Sequence, residues 1–286
     1  MKKNLLLYKI RQALPFCVGL VLGLAGQFSV AQNLPSIEPL FIYDGGATFD
    51  DEDIIKASLE FSECPVNSAE GKAVLLRYAD LRRTVASPSF AGLNQCERAE
   101  KVLALMYEKV IEKYKSRQTK INVLFDDGTY NCVSSSLLYL ALAKACGLDV
   151  RGQVTPNHAF CTLYVTDGSG GGKTKIDVET TNPYGFNPGV KRSVQVDTNG
   201  GGKYTVVPKR NYSGRFEVED KIFVSLVGGN LATDYDKAEN WQKAVPMLAT
   251  CAVFTADCNN SSYNNRLEFE KMCTNYTVSL HREKKF

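Results

Sequence analysis

The sequence predicts an α+β fold. Three observations carry that reading: helical periodicity over the first third, one uninterrupted apolar segment in the middle, and short β-rich stretches separated by glycine clusters after it. Strands that follow one another without intervening helices favour an antiparallel sheet over a βαβ alternation. The 286 residues are 44% hydrophobic and 23% charged, a composition that excludes a disordered chain.

The elements follow in order. Residues 1–31 read as a secretory signal peptide: Lys2, Lys3, Lys9 and Arg11 precede an apolar stretch from Ala13 to Gly26, and Ser29-Val30-Ala31 has the small-x-small form of a cleavage site. That stretch is shorter than the roughly 20 residues a membrane span needs, so export is expected and stable membrane insertion is not. Removing the four leader cations turns the formal charge of +3 into −1, which leaves no basic surface for nucleic acid.

Residues 32–120 are expected to be an N-terminal helical region. Asp50 to Asp53 supply a start signal, and Ile54, Ile55 and Leu59 recur at helical spacing. Ala73–Val85 and Ala99–Tyr114 repeat the pattern, separated by Pro88-Ser89-Phe90-Ala91-Gly92.

Residues 121–220 form the expected core. Ile121–Phe125 is a short β-branched run ended by Asp126-Asp127-Gly128, and Asn131–Cys146 is an apolar helix that Gly147 stops. Strand-like runs follow at Val150–Val154, Ala159–Val165, Lys173–Thr180, Ser193–Asp197 and Tyr204–Pro208. The glycine clusters at 167–172 and 199–202 lie between strands and read as hairpin turns, not phosphate cradles. Residues 221–286 are helical again. Asn240–Thr250 and Ser262–Val278 faintly resemble tetratricopeptide helices, too few for an array, so they are read as a helical cap able to hold a protein partner.

Histidine is scarce, and that narrows the chemistry. His281 lies in a charged tail, whereas His158 opens a strand, with Phe160 and Thr162 on the same face. Cys132 begins the apolar helix, where free backbone N–H groups and the positive end of the helix dipole favour thiolate. Asp177 and Glu179 sit two apart on a later strand and share a face. A thiolate to attack an acyl carbon, an imidazole to protonate the leaving group and an acid to fix the imidazole make a nucleophilic set. The Cys132 N–H, with the Asn131 side chain, is a candidate for stabilising an oxyanion, although Asn131 equally reads as a helix cap. Cys161 reads as packing and Ser134-Ser135-Ser136 as a solvated first turn.

The cysteines beyond the leader are Cys64, Cys96, Cys132, Cys146, Cys161, Cys251, Cys258 and Cys273. In an exported chain that number suggests disulfides, with Cys64–Cys96 and Cys258–Cys273 the expected pairs. No CxxC or Cys/His spacing points to a metal, and nothing points to a cofactor.

Residues 128–165, from Gly128-Thr129-Tyr130-Asn131-Cys132 through the apolar helix to His158-Ala159-Phe160-Cys161, resemble the core of the transglutaminase-like superfamily. Ile176-Asp177-Val178-Glu179-Thr180-Thr181 is similar to that family's acid-x-Thr strand. The resemblance covers about residues 121–190. It implies a papain-like core with the Cys helix packed on an antiparallel sheet, Cys132 as nucleophile and His158 as base and acid. It also implies Glu179 or Asp177 as the third member, with Glu179 better placed in the frame. The expected activity is cleavage or transfer of amide bonds in a peptide or protein through a thioester. The alternatives are an inactive scaffold of this fold that binds a protein, and a structural domain stapled by disulfides.

Overall fold

The computed structural model describes residues 39–41, 49–166, 172–188, 205, 207–260 and 263–283. The leader, both glycine clusters except Gly172, and the Ser193–Asp197 run lie outside the described residues, as do Tyr204 and Val206 of the Tyr204–Pro208 run. The chain divides into two compact units, residues 45–227 and residues 228–286 with the N-terminal stretch up to Asp44.

The first unit opens with four helices: α1 (Asp51–Phe61), α2 (Ala69–Val85), α3 (Pro88–Ala91) and α4 (Gln95–Lys109). Asp50 and Asp53 form a reciprocal capping box on α1, and Asn94 and Glu97 form one on α4. Ile54, Ile55 and Leu59 are fully buried, as their spacing requires. The Pro88–Gly92 breaker contains a short helix of its own, because proline is suited to a first turn.

Next come β1 (Lys113–Tyr114), α5 (Ile121–Asp127) and β2 (Thr129–Tyr130). The β-branched run at Ile121–Phe125 is therefore helical. Ile121, Leu124 and Phe125 are buried at i, i+3 and i+4, the Ser62 hydroxyl accepts the Ile121 N–H at 2.9 Å, and Gly128 ends the turn at φ +72°. Strands β1 and β2 pair in parallel, with Tyr114 opposite Tyr130.

Helix α6 (Cys132–Ala145) is the centre of the unit. It packs on α1 and α4 and on the sheet strands β3 (Val150–Thr155) and β4 (His158–Thr166). Every residue from Val133 to Ala143 is buried, which explains a helix apolar all round. Gly147 stops it with φ +72°, as expected. The sheet is completed by β5 (Lys173–Val178) and β6 (Phe216–Val218), in the antiparallel order β5-β4-β3-β6. The protein is thus a mixed fold of helices with an antiparallel sheet. Helix α7 (Asp220–Lys237) begins in this unit and continues into the other.

The second unit holds the rest of α7 with α8 (Trp241–Phe254) and α9 (Tyr263–Arg282). Asp236 of α7 accepts hydrogen bonds from Ser279 and Arg282 of α9, and the Leu40 N–H donates to Thr250 at 2.8 Å. Among the described residues no helix is long and apolar enough to cross a membrane.

The disulfide expectation is not met. Among the described residues no disulfide joins Cys64 to Cys96 or Cys258 to Cys273. Cys64 is buried with its sulfur 3.9 Å from the Ser68 hydroxyl, whereas Cys96 is half-exposed at the start of α4.

Candidate active site

Cys132 is the first residue of α6 and stays half-exposed, while Val133 to Ala143 are buried. The cap that starts the helix fixes its position. Asn131 Oδ1 accepts the N–H groups of Val133 at 2.9 Å and Ser134 at 3.1 Å, and the Asn131 N–H donates to the Ser134 hydroxyl at 3.0 Å. Asn131 Nδ2 donates to the Ser116 carbonyl at 3.2 Å. The Asn131 side chain is therefore a cap that orients Cys132. Its oxygen is committed to the helix and one N–H of its amide to Ser116, so the cap role is seen, and among the described residues the second amide N–H has no bond. The Cys132 N–H lies outside these cap bonds.

His158 opens β4, opposite Thr155 in a tight hairpin. Its Nε2 meets Glu179 Oε2 at 2.7 Å, and both side chains are about 5% exposed or less. The second ring nitrogen is then the one left for Cys132, whose side chain is among the causes of the ring's raised pKa. Burial pulls the His158 pKa down, but hydrogen bonds and charge from Cys132 and Glu179 outweigh it and push the value up to about 10. Burial works against the Glu179 charge as well. His158, Tyr212 and Thr181 reverse the effect and hold the carboxyl below its usual range. The arrangement is a buried imidazolium–carboxylate pair at neutral pH.

The register shows why His158 meets Glu179 and not Asp177. Asp177 pairs with Thr162, four residues along β4 from His158, or roughly 13 Å away at strand spacing. There it accepts a hydrogen bond from Thr162 at 3.0 Å and pairs with Arg215, so it is not brought to His158. One residue beyond the end of β5, Glu179 comes level with Phe160, and the extra methylene of glutamate covers the remaining reach. All four of its bonds are in place: Thr181 N–H at 3.1 Å and Thr181 hydroxyl at 2.7 Å on Oε1, Tyr212 hydroxyl at 2.6 Å and His158 on Oε2. A buried carboxylate requires such a set.

A hydroxyl network binds this loop to the Cys helix. Thr180 Oγ1 lies 2.8 Å from the Ser135 hydroxyl and 2.7 Å from that of Ser136, and all three residues are fully buried. The Ser134–Ser136 run is thus not the solvated turn expected of it; through Ser135 and Ser136 it joins the Cys132 helix to the Glu179 loop. Tyr107 donates to the Thr180 carbonyl at 3.0 Å and Tyr130 to the Thr181 carbonyl at 3.2 Å. Cys161 points away from the site, 3.5 Å from the Ser136 carbonyl, and burial raises its thiol pKa. It is packing, as its strand phase indicated.

Two site residues escaped the sequence reading. Tyr212, on a 3-10 turn (Lys209–Tyr212), stands edge-on to the His158 and Phe160 rings at 5.8 and 5.1 Å while holding Glu179. Tyr114, on β1, packs edge-on against Tyr130. Both sit far in sequence from the residues they serve, and no local pattern marks an isolated tyrosine. Among the described residues no group of three or more His, Cys, Asp and Glu is placed to hold a metal. Compared with known proteins, the chain matches no family model, and no curated protein is significantly similar to it.

Proposed function

We propose that this protein is an exported cysteine-dependent acyl-transfer enzyme of transglutaminase-like type, with a papain-like core, acting on amide bonds of a peptide or protein. The observation that supports it most is the 2.7 Å contact between buried Glu179 and His158, whose other nitrogen is left for a half-exposed sulfur at a helix start. The Cys132 thiolate bonds to the carbonyl carbon as the carbonyl π pair moves to oxygen. When the carbonyl reforms, the C–N bond breaks, and the imidazolium proton passes to the leaving amine, giving a thioester on Cys132. His158, now neutral, takes a proton from water as it attacks; collapse of the tetrahedral intermediate breaks the C–S bond, the acid leaves, and Cys132 thiolate with His158 imidazolium is restored. Glu179 stays ionised throughout and fixes the ring. Water is the second nucleophile in this reading, so hydrolysis rather than crosslinking is the reaction.

The test uses p-nitrophenyl acetate as acyl donor, followed by peptide mass mapping. Acetylation is expected at Cys132, labile to hydroxylamine, and lost in Cys132→Ser and His158→Ala. Equal p-nitrophenol release from wild type and Cys132→Ser would overturn the proposal.

A further inference from the structure

A carbonyl oxygen that becomes an anion needs donors, and the site shows one: the Cys132 N–H. Most other polar groups around it are committed. Asn131 Oδ1 caps the helix and one N–H of its amide goes to Ser116, while Gln118 Nε2 donates to the carbonyls of Lys120 at 2.8 Å and Thr129 at 2.9 Å. Tyr107 and Tyr130 hold the acid loop and Tyr212 holds Glu179. Tyr114 differs. It is half-buried, and among the described residues its hydroxyl has no hydrogen-bond partner.

Its position beside the nucleophile is fixed by backbone. Tyr114 pairs with Tyr130, two residues before Cys132, and the Lys115 N–H donates to the Tyr130 carbonyl at 2.8 Å. The turn that follows is fastened to the start of α6 at two points, Asn131 Nδ2 to the Ser116 carbonyl and the Ser134 hydroxyl to the Gln118 carbonyl at 3.3 Å. The Tyr114 ring stands at 79° to that of Tyr130, with centroids 5.6 Å apart. Its phenol lies near enough to Cys132 and Glu179 that, after burial, their charges are what push its pKa up to about 12. The hydroxyl is therefore a proton-bearing donor at every working pH.

We propose that the Tyr114 hydroxyl is a second oxyanion donor, forming with the Cys132 N–H a two-donor cradle for the carbonyl oxygen of the substrate. This rests on the acyl-transfer reading above. During attack the carbonyl oxygen gains the π electron pair and accepts both hydrogen bonds; when the carbonyl reforms it releases them, and no proton leaves Tyr114.

Two reagents separate this role from a structural one. Acetylation of Cys132 by p-nitrophenyl acetate develops an oxyanion; alkylation by iodoacetamide does not. In Tyr114→Phe, which keeps the ring packing on Tyr130, the acetylation rate constant is expected to fall about 10²-fold while the iodoacetamide rate is unchanged. The unchanged alkylation also reports a folded site. Equal acetylation by wild type and Tyr114→Phe overturns the proposal, and so does an equal fall in both rates. If neither reagent modifies Cys132 in the wild type, the acyl-transfer reading itself fails, and this inference falls with it.

Discussion

Glu179→Gln keeps the size of the acid and removes its charge, so it isolates what the carboxylate does for the ring. In the wild type the charges meet across a 2.7 Å hydrogen bond, with both side chains buried. Taking about 4 Å between charge centres and an effective dielectric of about 20, the attraction is about 4 kcal/mol. That corresponds to about 3 units of imidazole pKa. The His158 value of about 10 would fall to near neutrality, and the unrelieved burial would lower it further. The ring would then be largely neutral at pH 7.5, and the tautomer set by Glu179 would be lost. Removing the charge of a triad acid costs up to about 10⁴-fold in rate in the best-known serine enzyme, and a loss of 10²- to 10⁴-fold in p-nitrophenyl acetate turnover is expected here. The assay is turnover against pH, in which the alkaline limb of the wild type lies near 10 and that of the variant moves down by about 3 units. Unchanged turnover with an unchanged alkaline limb would refute the reasoning.

Thr180→Val leaves the Ser135 and Ser136 hydroxyls without their shared partner in a fully buried place, and a loss of about 1–3 kcal/mol in urea unfolding is expected. At Gly185 an added Cβ would stand 1.9 Å from the Glu179 carbonyl oxygen, so Gly185→Ala must push the acid loop open. It should lower the urea midpoint and abolish acetylation of Cys132, whereas an unaltered acetylation rate would show that the loop is not needed in this form. The raised His158 pKa also makes stability depend on pH. The unfolded ring titrates near 6.5, so the pair contributes fully below that pH, and the contribution is lost as pH rises through about 10. Wild type is expected to lose a few kcal/mol between pH 7 and 10, and His158→Gln much less.

Much of the site was legible because its parts are local patterns. A polar cap before Cys132, an apolar run, Gly147 and an alternating strand opened by His158 each mark an element end, and element ends are where these side chains lie. The choice between Asp177 and Glu179 was not decidable from phase, since both share a face. It depends on the register with β4, which puts Asp177 opposite Thr162 and beside Arg215. The Ser134–Ser136 run misled because serines in a first turn are usually solvated; here Thr180, more than forty residues later in sequence, supplies a partner to Ser135 and Ser136. The Ile121–Phe125 run shows the same limit in the fold. Its helical form depends on Ser62 accepting the Ile121 N–H and on Gly128 closing the turn, neither of which its β-branched residues announce.

The claim beneath all of this is a charged imidazole held in a buried place by the Glu179 carboxylate. With only two histidines in the chain, the ring resonances of His158 can be assigned by comparison with His281→Gln. Titration of those resonances by NMR should show both ring nitrogens protonated at pH 8 and a midpoint near 10. A neutral His158 ring at pH 7, titrating at or below 6.5, would contradict it.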